Sequence, residues 1–354
     1  MEMELFFESV AALTSKAFAS IKPTEEREII LAGLPIRLRF AGKCMIPSIM
    51  PAIEQLVTCT KSEILEYQID IWESTSTNTD FPQAPCGIES IQVRGELSGF
   101  KSERYETAFF SHARMLTVLD HHHKYGIVCF ANSNDIPAFE LACPLRGIFS
   151  WIIRRQNMAM VHAAGVGNGN SSVLIGGNSG AGKSSTALRA LMGGLNYFGD
   201  DICAISLNEN LPQIHGIYSS GKVLTSNLHH FPSLKSSVFG HFDEEYEKEL
   251  FFFNEAFRPF LGISGNLSAV IIPHQDSTIP IGFQPISFAK ALSVISSSSK
   301  LLFPDAGNET LLLLSKIFHQ IPCYQFNLGN NPALIAKVLT DFLDKINNLN
   351  SHNG

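Results

Sequence analysis

Residues 162–205 read HAAGVGNGNSSVLIGGNSGAGKSSTALRALMGGLNYFGDDICAI, and the fold is decided inside that stretch. Ser172-Val-Leu-Ile175 is a short apolar run with β-branched residues, the pattern of a buried strand. The next segment, Gly177-Asn178-Ser179-Gly180-Ala181-Gly182-Lys183-Ser184, fits the phosphate-loop pattern G-x-x-x-x-G-K-[ST] in full. Ser185 and a helix to about Met192 follow it, so the order is strand, glycine loop, helix. Glycines let successive backbone N–H groups turn inward on a polyphosphate, and the helix start adds its positive dipole end. Lys183 would reach the β- and γ-phosphates of ATP, and the Ser184 hydroxyl would help hold Mg2+. A glycine-rich turn that merely precedes a helix is the plainer alternative; the full eight-residue pattern in a strand-to-helix context speaks against it.

Two further features flank the loop. His162 stands 21 residues before Lys183, and the pair Asp200-Asp201 begins 17 residues after it. With these in place, the stretch resembles the HPr serine kinase/phosphorylase family, where a strand histidine, a phosphate loop and an Asp-Asp pair occur in this order at about these intervals. Beyond it, the chain resembles the HPr-kinase-related proteins of peptide-modification clusters, including the lasso-peptide precursor kinases. It shares their strand-rich first half, an apolar helix before the histidine strand, and a late segment reading here Tyr324-Gln-Phe-Asn-Leu-Gly-Asn-Asn-Pro-Ala-Leu-Ile-Ala-Lys-Val-Leu339.

The resemblance implies an α/β fold with a P-loop kinase core of the HPr kinase (PEP carboxykinase-like) type and a mixed sheet, preceded by a strand-rich α+β region. It implies that Asp200 is the general base, held by His162, and that Asp201 lies near the cation. Adjacent strand residues point oppositely, so the two acids do different work, and the sequence leaves the reverse assignment open. Phosphoryl transfer needs an anchored triphosphate, a divalent cation and a group that takes the hydroxyl proton, and Lys183, Ser184, His162 and the Asp pair can supply them. The family's second signature, an acidic residue followed by Arg-Gly-x-Gly, has no match; Gly262 and Gly265 are the nearest glycines. That weakens the case for phosphorolysis and for HPr itself as substrate.

Composition bounds the rest. At 354 residues, 45% hydrophobic and 17% charged, the chain is globular with a substantial core. A net charge of −7 and pI near 5.9 argue against a nucleic-acid partner. Seven scattered cysteines without a C-x-x-C pair read as reduced, mostly packed thiols. The start lacks a basic signal region and no apolar run reaches spanning length, so the expectation is a cytoplasmic protein without a membrane partner.

Outward from the loop, residues 3–20 read as a helix, Leu34–Ala41 and Glu63–Trp72 as alternating strands, and Pro51–Val57 as a short helix. Ser74–Pro85 reads as a long polar loop, followed by strand patterns at Ile88–Leu97, Tyr105–Leu119 and Tyr125–Phe130, together an antiparallel sheet. His121-His122-His123 between two strands reads as a solvated hairpin tip, because three consecutive strand residues rarely share one ion. Pro144–Gln156 reads as an amphipathic helix, with Arg154 and Arg155 suiting its carboxyl end or contacting phosphate. Met158–Val166 reads as one buried strand carrying His162, and Gly167–Asn170 as the turn into the loop strand.

After the Asp pair the pattern is less legible. Lys222 or Arg258 could each place a second cation over the transferred group. Leu267–Ile272 reads as a strand, Phe288–Ile295, Glu309–His319 and Pro332–Leu343 as helices, Ile321–Leu328 as a strand, and Ser296–Ser299 as a loop. The domains expected are 1–143, a docking or dimer-forming region; 144–346, the kinase domain; and 347–354, a disordered tail.

The leading expectation is an ATP- and Mg2+-dependent kinase that phosphorylates a serine of a peptide or small protein, such as a precursor peptide from a biosynthetic cluster. The alternatives are an HPr-type kinase of a carrier protein, a small-molecule P-loop kinase, or a non-catalytic ATP-binding peptide chaperone. No arginine-rich lid lies between Asp201 and Phe253, which counts against the small-molecule reading.

Overall fold

A computed structural model describes the chain except Met1, Lys61 and residues 88–90, 92–94, 244–246, 254, 304–306 and 352–354. The chain divides into two compact units, Met1–Ile152 and Ile153–Gly354.

The first unit runs α1 (Glu2–Ser20), β1 (Glu25–Leu31), β2 (Leu34–Phe40), α2 (Ile46–Ile49), β3 (Tyr67–Glu73), α3 (Ser74–Thr77), β4 (Glu96–Lys101), β5 (Tyr105–Phe110), β6 (Met115–Asp120), β7 (Tyr125–Phe130), α4 (Ala138–Ala142) and α5 (Arg146–Arg154). Its strands form one sheet in the order β1-β2-β3-β7-β6-β5-β4. The sheet is mixed rather than antiparallel, because β3 lies parallel to both β2 and β7. Alternation along β3 reports which side chains are buried, not the direction of its neighbours, and the long link from β2 provides the crossover that parallel pairing needs. Helix α1 covers one face through Phe7, Val10 and Ala17, packed with Trp72, Leu116, Val118 and Ile127. The Trp72 indole donates to Thr14 Oγ1 at 3.0 Å, so the largest core side chain also satisfies its one polar atom.

Several local expectations change. Pro51–Val57 forms two short 3-10 turns, the polar loop starts with the turn α3, and the pattern at Ile88–Leu97 lies largely outside the described residues. The histidine run does sit on the turn between β6 and β7, yet His121 points inward. Its Nδ1 lies 3.0 Å from the Tyr67 hydroxyl and its Nε2 2.8 Å from Glu106. The amphipathic helix belongs mostly to this first unit, with Ile148 filling the space a Cβ on Gly126 would need. The two compact units meet at 152/153.

The second unit adds β8 (Met158–Val161), β9 (Ala164–Gly167), β10 (Ser172–Ile175), α6 (Lys183–Met192), β11 (Asn196–Gly199), β12 (Cys203–Asn208), β13 (Leu211–Gly216), β14 (Ser220–Leu224), β15 (Val238–Asp243), β16 (Lys248–Phe252), β17 (Ser264–His274), β18 (Gly282–Pro285), α7 (Phe288–Leu302), α8 (Gly307–Gln320), β19 (Cys323–Asn327) and α9 (Ile335–Ser351). The main sheet runs β11-β9-β10-β17-β13-β12-β8, with β19 and β18 beyond β17, and is mixed. Alternating residues of its strands serve two cores. Val173 and Ile175 pack with Ala187, Leu188 and Leu191 of α6 and Leu339 and Leu343 of α9, while Leu174 packs with Ile295 of α7 and Leu314 and Ile317 of α8. A separate three-stranded sheet, β14-β16-β15, carries Lys222.

The expected single strand Met158–Val166 is two strands. β8 pairs with β12, whereas β9 pairs with β10 and β11, and the chain crosses between them at His162 and Ala163. The same break occurs on the antiparallel neighbours, where β11 ends at Gly199 and β12 begins at Cys203. Two short links thus join opposite ends of the strand order, and they hold His162, Asp200 and Asp201. Elsewhere, the serine run 296–299 lies inside α7, and α9 continues to Ser351, so residues 347–351 prolong a helix. Among the described residues, no helix is long and apolar enough to cross a membrane.

Candidate active site

The loop between β10 and α6 takes left-handed backbone at Gly180 (φ 80°) and Gly182 (φ 97°), a region that side chains with a Cβ disfavour. Gly182 is the N-cap of α6 and gives no side-chain cap, so Lys183, Ser184 and Ser185 open the helix without one. Asn178, Ser179 and Gly180 are exposed, and Ala181 and Gly182 are half-buried. Lys183 folds back over the loop, its Nζ donating to the carbonyls of Gly177 at 2.7 Å and Asn178 at 3.2 Å. Burial pulls the pKa of this ammonium down, while Asp201 and Asp200 act against that shift.

The two carboxylates sit in the link between β11 and β12. Asp200 is buried and accepts a hydrogen bond from the Lys222 backbone N–H at 3.1 Å on Oδ2, and Ser184 at the start of α6 is close enough to favour its charged form. Burial raises its pKa to about 6 against the pull of Lys222. Asp201 is less enclosed. Its Oδ1 lies 3.1 Å from His162 Nε2 and its Oδ2 receives the Lys222 ammonium at 2.6 Å. Burial alone would raise this carboxyl too, but Lys222 and His162 outweigh it and hold it below the usual carboxylate range.

His162 therefore pairs with Asp201 and not with Asp200, and Asp200 stands on the Ser184 side. The link buries Asp200 and brings Asp201 to His162, which lies between β8 and β9. Gly199, at φ 147°, makes the entry to this turn, where a Cβ would lie 2.6 Å from the Ile202 carbonyl oxygen.

Of the two candidate second cations, Lys222 joins the cluster. Arg258 is half exposed and pairs with Glu255 at 3.1 Å. Two supporting residues escaped the sequence reading. Ser299 on α7 accepts the His162 backbone N–H at 2.9 Å, and the Tyr197 hydroxyl donates to the Ser220 carbonyl at 2.9 Å, tying β11 to the strand that carries Lys222. Neither has a local sequence signal, since each depends on a partner far along the chain.

No protein-family model matches the chain, and no curated protein sequence does. Among solved structures, it is similar to the Hpr(Ser) kinase/phosphatase from Coxiella burnetii. The identity is 11% and the TM-score 0.33, over 55% of this chain and 96% of that one. What the site can do is read from its own geometry.

A nucleotide with Mg2+ fits these residues. The loop and the uncapped start of α6 offer backbone N–H groups, with Lys183 beside them. Among the described residues no three His, Cys, Asp or Glu side chains converge on one point. Mg2+ is commonly bound by one or two carboxylates together with substrate phosphates, and Asp200 with Ser184 is such a partial set. A cation there would also offset the burial of the Asp200 carboxylate.

Proposed function

We propose that the chain is an ATP- and Mg2+-dependent serine kinase acting on a peptide or small protein, with residues 153–354 as a core of the HPr kinase type. The observation that supports this most is the division of labour between two adjacent acids. Asp200 lies within electrostatic reach of Ser184 and Lys183 of the loop, and Asp201 is paired with His162. A nucleotide-binding module without chemistry has no need of a carboxylate held by a histidine beside the loop.

In this reading ATP with Mg2+ supplies the γ-phosphoryl group. Gly177, Asn178, Ser179, Gly180, Ala181, Gly182, Lys183, Ser184 and Ser185 bind the phosphate chain, and Asp200 with Ser184 holds the cation. His162 keeps one oxygen of Asp201 in place, and Asp201 takes the proton of the attacking serine hydroxyl. The new bond joins that oxygen to the γ-phosphorus as the bond to ADP breaks. A precursor peptide of a biosynthetic cluster is the substrate class that the sequence resemblance favours, with the first unit as its docking region.

Purified full-length protein incubated with ATP, Mg2+ and serine-containing peptides should yield phosphopeptide by mass spectrometry. Tight ATP binding with no phosphopeptide from a broad peptide panel would favour the non-catalytic binding reading instead.

A further inference from the structure

We infer that Lys222 is the group that distinguishes a nucleoside triphosphate from a diphosphate here, by leaving Asp201 to bind the terminal phosphoryl group. The inference rests on the proposed nucleotide site and adds a specificity residue to it.

Two ammonium groups approach the site from separate elements. Lys183 comes from the loop and is engaged with the loop's own carbonyls. Lys222 comes from β14, a strand of the small sheet, and contacts both carboxylates, Asp201 through its ammonium and Asp200 through its backbone N–H. Lys222 and Lys248, on the paired strand β16, both depress the Lys183 pKa, so the small sheet's cations are within electrostatic reach of the loop lysine.

The backbone around Lys222 is held by its neighbours. Gly221 packs against the Phe251 ring with no space for a Cβ, Val223 is buried, and the Lys222 N–H is bonded to Asp200. The ammonium sits on a four-carbon stem with several rotatable bonds, so it can change partner without moving the strand.

The balance of charge favours that change. Without ligand, the Lys222 ammonium is held by Asp201, and Lys183 is engaged with the loop carbonyls. A triphosphate brings more negative charge than one divalent cation neutralises, and its terminal group is a stronger anion for Lys222 than a carboxylate that His162 also contacts. A diphosphate lacks that group, so Lys222 stays on Asp201. Lys183 serves both nucleotides, because the loop phosphates are common to them.

Calorimetric titration of the full chain with ATP·Mg2+ and ADP·Mg2+ tests this in parent, Lys222→Gln and Lys222→Arg. Loss of one charge-assisted phosphate contact should weaken ATP binding about 10-fold or more in Lys222→Gln, with ADP changed less than about 2-fold and Lys222→Arg largely restoring ATP. Equal loss for both nucleotides, or none for either, would overturn the inference. Should Lys222→Gln be poorly folded, Asp201→Asn and the double variant Asp201→Asn/Lys222→Gln give the same test with the carboxylate neutralised. The double variant should bind ATP, but not ADP, more weakly than Asp201→Asn; equal ATP affinities would contradict the assignment. A parent chain that binds neither nucleotide would instead remove the proposed function, and this inference with it.

Discussion

His162 Nε2 and Asp201 Oδ1 meet at 3.1 Å although 39 residues separate them, and both residues lie in links where neighbouring strands break. The break makes the contact possible. A continuous strand would leave His162 in a regular ladder, whereas the crossing from β8 to β9 frees it to face the turn between β11 and β12. Its backbone N–H, which has no ladder partner there, is taken by Ser299.

Replacing Ser299 should therefore act through His162. Ser299→Ala leaves the part-buried His162 N–H without its acceptor, which costs about 1 kcal/mol of stability and loosens the imidazole. The expected result is a lower melting temperature and slower phosphate transfer, with ATP affinity unchanged by calorimetry. A change in ATP affinity with normal transfer would be the wrong pattern.

Loop binding should depend on Lys183. Lys183→Met removes a charge-assisted contact and should weaken ATP·Mg2+ and ADP·Mg2+ alike by about 2 kcal/mol. Calorimetry on the two nucleotides checks it, and unchanged affinity would show that the loop is not the phosphate site.

Arg258 supplies the matching negative. It is exposed and pairs with Glu255 rather than with Asp200 or Asp201, so Arg258→Ala should leave nucleotide affinity and transfer rate within about 2-fold of the parent, as surface changes usually do. A large loss of transfer would place Arg258 in the site after all.

Acid should destabilise the second unit through His215. This histidine is buried, with Nε2 2.9 Å from Ser206 Oγ and Nδ1 unpartnered, and burial lowers its pKa from 6.5 to about 4. The unfolded chain thus binds one more proton than the folded one between those values. The stabilisation is fully present above pH 6.5 and is lost as pH falls towards about 4, up to about 3 kcal/mol. Urea unfolding at about pH 7 and about pH 5 should show a smaller pH dependence in His215→Gln than in the parent. Identical pH dependence would mean that His215 does not titrate differently on folding.

The strand, loop and helix from Ser172 to Met192 were legible because their signal is local: β-branched residues, glycines at fixed offsets and a helix-forming run. The break at His162 was not. Met158–Val166 contains no proline or turn cluster, and the strand divides only because its two halves pair with different partners, β12 and β9's neighbours. Lys222 was visible as a candidate but could not be told from Arg258, since the difference lies in which strand β14 stands beside. Ser296–Ser299 reads as a loop from composition, yet tertiary packing holds it helical, with Ser298 and Ser299 buried. Direction was equally hidden for β3, whose alternation is the same in parallel and antiparallel company.

The division of labour between the two acids is tested most directly by single-turnover phosphate transfer across a range of Mg2+ concentrations in Asp200→Asn, Asp201→Asn and His162→Ala. Asp201→Asn should lower the transfer rate about 10²- to 10⁴-fold at saturating Mg2+, the usual worth of a general base. His162→Ala should lose less, and its effect should not add to that of Asp201→Asn, because the two act as one unit. Asp200→Asn should instead raise the Mg2+ concentration needed for half-maximal transfer. If Asp200→Asn abolished transfer at every Mg2+ concentration while Asp201→Asn kept more than about a tenth of the parent rate, the roles assigned from the geometry would be contradicted.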